Sequence, residues 1–215
     1  HLPFFVVKME PPDLKSKSNF DIFFKRMLEG VGFTYFGDLL ESHVKSNTAW
    51  LDAITPPHVK QALQQIAHNK LVAELAWGFL CGNKLTPDEA SRVGVTKNQI
   101  NDSEDFGSIL KAVAQVVKAQ TEDKKMLLFL IDEGESLQDV DNADAESSWV
   151  HALRKILDVK DVGVIFAIAA IDGNSLPQII LNGAIVRRFG NENFVPLLPY
   201  EQGEALAFLK ELFQS

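Results

Sequence analysis

The chain has 215 residues, 46% of them hydrophobic, with a formal net charge of −8 and a single cysteine. That length supports one large domain or two small ones, and that apolar fraction supports a sizeable core and excludes a disordered chain. The acidic balance argues against an extended nucleic-acid surface; Cys81 alone excludes an internal disulfide and a cysteine zinc cluster, and fits a reducing compartment such as the cytoplasm. No apolar run reaches the length of a membrane span, and no secretory signal is visible.

Residues 4–9 read as a β-favouring strand, entered almost at once after His1, as in a segment cut from a longer polypeptide. A polar loop follows, where Ser18 or Asn19 can cap a helix. Phe20, Phe23, Phe24, Met27 and Leu28 then form an apolar stripe that Gly30 and Gly32 close. Lys15, Lys17, Lys25 and Arg26 make a small basic cluster, read as a solvated face with a nucleic-acid role as the alternative.

Residues 33–83 read as helical, without strand alternation. A short helix starts at Gly37. A longer one follows Pro56 and Pro57 and runs over 59–80, apolar nearly all round in its second half, so that half must be buried or meet a partner. His58 and His68 lack a close metal-ligand spacing and read as surface or packing residues. Thr86 and Pro87 open a further short helix ending near Gly94. Asn101, Asp102 and Ser103 cap a strong one, with Phe106, Ile109, Leu110, Val113 and Val116 as its buried stripe.

The most informative stretch is 126–135. Six apolar residues, Met126 to Ile131, run unbroken into Asp132, Glu133 and Glu135. So short a run reads as a strand buried on both faces, as in a parallel sheet covered by helices. In open α/β sheets the ligand lies beyond the carboxyl ends of the strands. Asp132 there can hold Mg²⁺, directly or through water, and Glu133 can orient or deprotonate a water; the plainer reading is an exposed acidic turn. Gly134 reads as a backbone requirement, and Glu135 as helix-start electrostatics. The acidic loop 139–146 lacks the central glycine and closing glutamate of a calcium loop. A helix with Trp149, Val150, Leu153, Ile156 and Leu157 on one face follows. Residues 162–171 read as a second central strand, ending in the polar run Asp172-Gly173-Asn174-Ser175. A short helix over 177–181, the pair Arg187-Arg188, an edge strand over 194–198 and a terminal helix with Ala205, Leu206, Phe208, Leu209 and Leu212 buried complete the chain.

This order of elements, with these residues at the strand ends, resembles P-loop NTPases of the AAA+ or STAND type. It is most similar to bacterial ATP-binding proteins of the phage-defence kind and to origin-recognition-like ATPases. Residues 126–135 resemble the Walker B segment. The resemblance implies an α/β fold with a parallel sheet flanked by helices, a helical insertion at 33–100, a Walker B and sensor half at 101–198, and the start of a lid at 199–215. It implies Mg²⁺ at Asp132, largely through water, with Glu133 activating the attacking water. Asp172, Asn174 and Ser175 compete for the sensor 1 position, and Arg187 and Arg188 for an arginine finger acting in trans. ATP is the implied nucleotide of the intact protein. Self-association or partner proteins are expected, DNA by family likeness only, and no membrane.

One departure matters. The family's phosphate loop, Gly-x-x-x-x-Gly-Lys-Ser/Thr, is absent, and it would lie upstream of His1. This chain alone is therefore expected to hold no nucleotide or metal tightly and not to hydrolyse ATP. Two alternatives stand beside this reading. One is a nucleotide-free interaction module using Trp50, Trp77 and the apolar stretch 71–80. The other is an unrelated α/β enzyme using Asp132 and Glu133 with a metal.

Overall fold

The computed structural model of the chain describes residues 4–9, 20–121, 124–134, 137, 143–169, 176–190 and 193–195. Three strands, β1 (Phe4–Met9), β2 (Met126–Ile131) and β3 (Val162–Phe166), form one sheet in the order β1-β2-β3, with both pairs parallel. The expected α/β class and parallel sheet are present, and β2, which ends in the acid pair, is central.

Parallel neighbours need crossovers. β1 reaches β2 through α1 (Phe20–Val31), α2 (Phe33–Ser46), a 3-10 turn (Thr48–Ala53), α3 (Pro57–His68), α4 (Ala73–Leu80), α5 (Pro87–Val93) and α6 (Ser103–Gln120). β2 reaches β3 through α7 (Ala143–Leu157). Crossovers of one hand that step the same way across a sheet lay their helices on the same face. That face holds Val7, Met9, Leu127, Phe129 and Ile131, all buried, with α1, α6 and α7 packed on the strands. Gly30 abuts Val7 so closely that any side chain there would collide, which is why α1 tolerates a glycine in its last turn. Phe20, Phe23, Phe24, Phe106 and Trp149 fill the space between the helices. Phe20 and Trp149 meet edge-on at 4.9 Å, and Phe24 and Phe106 lie 4.4 Å apart.

The opposite face departs from expectation. By register it carries Phe4, Val6, Lys8, Met126, Leu128, Leu130, Gly163 and Ile165. None of these is fully buried; Val6 is 43% and Ile165 50% exposed. The strand expected to be covered on both faces is covered on one and half open on the other, because both crossovers step in one direction.

The helical segment 33–100 forms as expected and shares one core with the sheet layer. The single helix expected over 59–80 does not. It breaks at residues 69–72 into α3 and α4, and Leu71 on the corner is 89% exposed. The Asn69 side chain accepts the Leu71 N–H at 3.3 Å, offering the backbone an alternative to the helix ladder. The turn folds α4 back along α3, and Trp77 comes to rest on Phe36, ring centres 5.2 Å apart. The all-round apolar surface of α4 is thus used inside the domain. α2 is longer than expected, with Gly37 in its interior. Thr86 caps α5 and the helix ends at Gly94, as expected; the structure adds a full capping box with Glu89 and a left-handed Gly94.

β3 stops at Phe166 rather than 171. The chain leaves the sheet at Ala167, whose N–H still reaches the Ile131 carbonyl at 2.8 Å. α8 (Gln178–Leu181) matches the expected short helix. Arg187 and Arg188 lie on a further helix, α9 (Gly183–Phe189), that the sequence reading lacks. Residues 193–195 are not a strand. Residues 143–146 of the expected acidic loop 139–146 are instead the first turn of α7; its residues 139–142, residues 196–198, the terminal helix and the capping residues Ser18 and Asn19 lie outside the described residues.

Candidate functional site

Asp132 continues the ladder for one residue beyond β2: its N–H donates to the Met9 carbonyl at 3.0 Å. Alternation places it on the half-open face, in line with Leu128 and Leu130. Its carboxylate meets Lys8 Nζ of β1 at 3.2 Å and accepts the Glu133 N–H at 3.1 Å. These two contacts, the Lys8 hydrogen bond foremost, hold its pKa below the usual carboxylate value of 3.8. Lys8 is absent from the sequence reading; one lysine in an apolar strand carries no signal until the register sets it beside Asp132.

Glu133 is exposed and sits at φ 56°, in the left-handed region that a side chain bearing Cβ enters at a cost. Such conformations gather where a site needs the chain held in one direction. What holds it is the next residue: the Gly134 N–H donates to the Ala167 carbonyl at 2.8 Å. A Cβ on Gly134 would lie 2.7 Å from Ile168 Cγ1 and 3.1 Å from that carbonyl oxygen. Gly134 is therefore a backbone requirement as expected, set by close approach to the segment leaving β3.

The arginines go elsewhere. Arg188 grips Asp158 with Nε to one carboxylate oxygen at 2.7 Å and Nη2 to the other at 2.8 Å, and donates through Nη1 to the Ala184 carbonyl at 3.0 Å. The guanidinium holds the Asp158 carboxyl below its usual range. Asp158 precedes β3, whose start pairs with Leu127, whereas Asp132 follows Ile131; the two acids mark opposite ends of the sheet. The partner considered from sequence, Glu192 or the acidic loop, lies outside the described residues, and the observed partner is Asp158. Arg187 is exposed, its Nε on the Gly183 carbonyl at 3.0 Å. Asp172, Asn174 and Ser175 lie outside the described residues, as does Glu135.

Other chemistry-bearing groups are structural. His58, expected as a surface or packing residue, is largely buried, and its Nε2 lies 2.9 Å from Asp105 Oδ1, while Lys97 Nζ takes Oδ2 at 2.6 Å. Asp105 is almost fully buried there. Burial, with the Glu29 charge adding to it, raises the Cys81 thiol to about 12, too high for a nucleophile. A cavity of about 460 Å³ is lined by Lys111, Lys155, Lys160, Glu104, Asp158 and Asp161, with balanced charge. Another of about 310 Å³ lies between the starts of α1 and α6. Asp132 and Glu133 line neither; they stand on an open rim.

No group of three or more His, Cys, Asp or Glu among the described residues is placed to hold a metal. An ion at Asp132 would draw its remaining ligands from water and from phosphate. Hard carboxylate oxygens suit Mg²⁺ on those terms, and the Lys8 ammonium already stands in as a cation on one of them. No helix among the described residues is long and apolar enough to cross a membrane. Fold and rim together define an α/β protein whose central parallel strand presents two acids at its carboxyl end. Comparison with protein-family models, curated proteins and solved structures finds no match.

Proposed function

We propose that the chain is the Walker B and sensor portion of an ATP-binding protein of the AAA+ or STAND type, a nucleotide-driven switch or motor in a larger defence or DNA-associated assembly. One observation supports this most: Asp132 and Glu133 end the central strand of a parallel sheet, at the position where open α/β sheets take their ligands. The half-open apolar face beside Asp132 leaves room for a phosphate-holding helix, and a further strand would have to join at an outer edge of the sheet, on β1 or β3. Bound Mg²⁺ would supply neutralisation of phosphate charge. Asp132 holds the cation side of the site, and Glu133 orients a water and accepts its proton. A trans role for Arg188 would require it to leave Asp158; Arg187 is the less committed of the two. A cytoplasmic, self-associating protein fits this reading.

In the intact protein Glu133→Gln should retain ATP and lose turnover, measured by nucleotide retention and phosphate release. Unchanged turnover would remove Glu133 from the mechanism. The 215-residue chain alone should bind Mg-ATP no better than weakly. Micromolar affinity in titration calorimetry would overturn the need for a separate phosphate loop.

A second reading, a nucleotide-free interaction module, is favoured by one observation only. The face carrying Val6, Leu128 and Ile165 offers apolar surface to a partner. Of the residues expected to meet a partner, Trp77 and most of α4 are buried in the domain's own core, Trp50 is half-buried with its Nε1 donating to Gln115, and Leu71 is exposed.

A further inference from the structure

Lys8 and Asp132 sit on adjacent parallel strands at the same end of the sheet and on the same face. The other described residues of that face, Phe4, Val6, Met126, Leu128, Leu130, Gly163 and Ile165, carry no charge. Lys8 pairs in register with Leu130, which offers it nothing. The carboxylate one step further along β2 is its partner across the ladder, at 3.2 Å. An ammonium at that distance occupies the place on the carboxylate that a metal ion would take. It also repels a doubly charged ion about twice as strongly as a singly charged one.

We propose that Lys8 is a built-in counter-ion for this rim: it occupies the cation position on Asp132 and holds down the affinity of that carboxylate for a free divalent metal ion. The inference rests on the reading of Asp132 as a metal-holding residue. It adds a regulating residue on a different strand. Without Lys8 the Asp132 carboxylate would meet a divalent ion unopposed. With Lys8 in place, a cation gains the site only when it brings ligands of its own, such as phosphate oxygens.

The test uses the 215-residue chain and Mn²⁺ alone, with free Mn²⁺ followed by electron paramagnetic resonance at low salt. Lys8→Met should bind Mn²⁺ about tenfold more tightly than the parent chain, roughly the effect of removing one unit charge a few ångströms away in a well-solvated setting. Lys8→Arg, which keeps the charge, should match the parent. Adding Asp132→Asn to Lys8→Met should abolish the gain. If Lys8→Met binds Mn²⁺ no more tightly than the parent, whether or not either binds at all, the assignment is overturned. A gain that survives Asp132→Asn overturns it as well. ATP is added in a separate arm. A gain with Mn²⁺ alone and no response to ATP in the intact protein would leave Lys8 as counter-ion and sink the nucleotide reading.

Discussion

The helical segment and the carboxyl rim of the sheet solve opposite problems with the same kinds of residue. In the helical segment, Asp105 is buried and answered twice, by His58 from α3 and Lys97 from the loop before α6. At the rim, Asp132 is nearly half exposed, and its lysine is more exposed still, with side chains 46% and 65% accessible. A buried carboxylate must be matched fully, because removing a partner leaves an uncompensated charge in a poor solvent. An exposed pair contributes little to stability and can be exchanged for another partner. The first arrangement fixes three elements in place; the second leaves a charge free to be used.

That contrast can be broken from either side. Asp105→Ala should cost about 3 kcal/mol in urea unfolding, since it strands Lys97 and His58 around a hole. A loss under about 1 kcal/mol would show the triad to be as solvated as the rim. Thr86→Ala, which opens the capping box of α5, should cost about 1 kcal/mol. At the rim the sign reverses: Glu133→Gly should stabilise by about 0.5 kcal/mol, as relief of the left-handed backbone outweighs the added freedom of the unfolded chain. Lys8→Met should leave the melting temperature unchanged, because both partners are exposed.

Acid sharpens the comparison by direction. His43 on α2 is buried against Gln120 of α6 and the edge of Trp50, with no partner on Nε2 among the described residues. Burial lowers its pKa below 6.5, so between that lowered value and 6.5 the unfolded chain binds the extra proton and the folded chain does not. Stability from the helical segment should therefore fall as pH drops through this window, and His43→Gln should flatten that part of the curve. Asp132 behaves in the other way: its contribution is present above 3.8 and is lost only as pH falls through its lowered folded value. Thermal melts from pH 7 to 3 should show the helical loss first.

Local chemistry was legible in the sequence. The Thr86 cap, the Asp102 cap and the stripe of α6 are each written within a few neighbouring residues, and they form as read. The apolar run of β2 and its acids announced a parallel strand with its end exposed. What was not legible depends on distance. Asp105 looks like an ordinary first-turn acid until His58, far away in the chain, is brought to it. Lys8 gains meaning only from strand register. The break at residues 69–72 was masked because α4 is apolar on every side, so no stripe changed phase there. The short β3 was overread because small apolar residues continue past the point where its chain turns to meet Gly134.

The composition of β2 has one more consequence. Leu127, Phe129 and Ile131 are buried, but Met126, Leu128 and Leu130 are just as greasy, so a one-step slippage of the strand would bury an equivalent set. Fidelity of pairing must then come from the ends. Lys124 and Asp161, both turned left-handed just before β2 and β3, and the Lys8–Asp132 clasp at the far rim act as stops. The Lys8–Asp132 pair therefore also tells the middle strand where to halt.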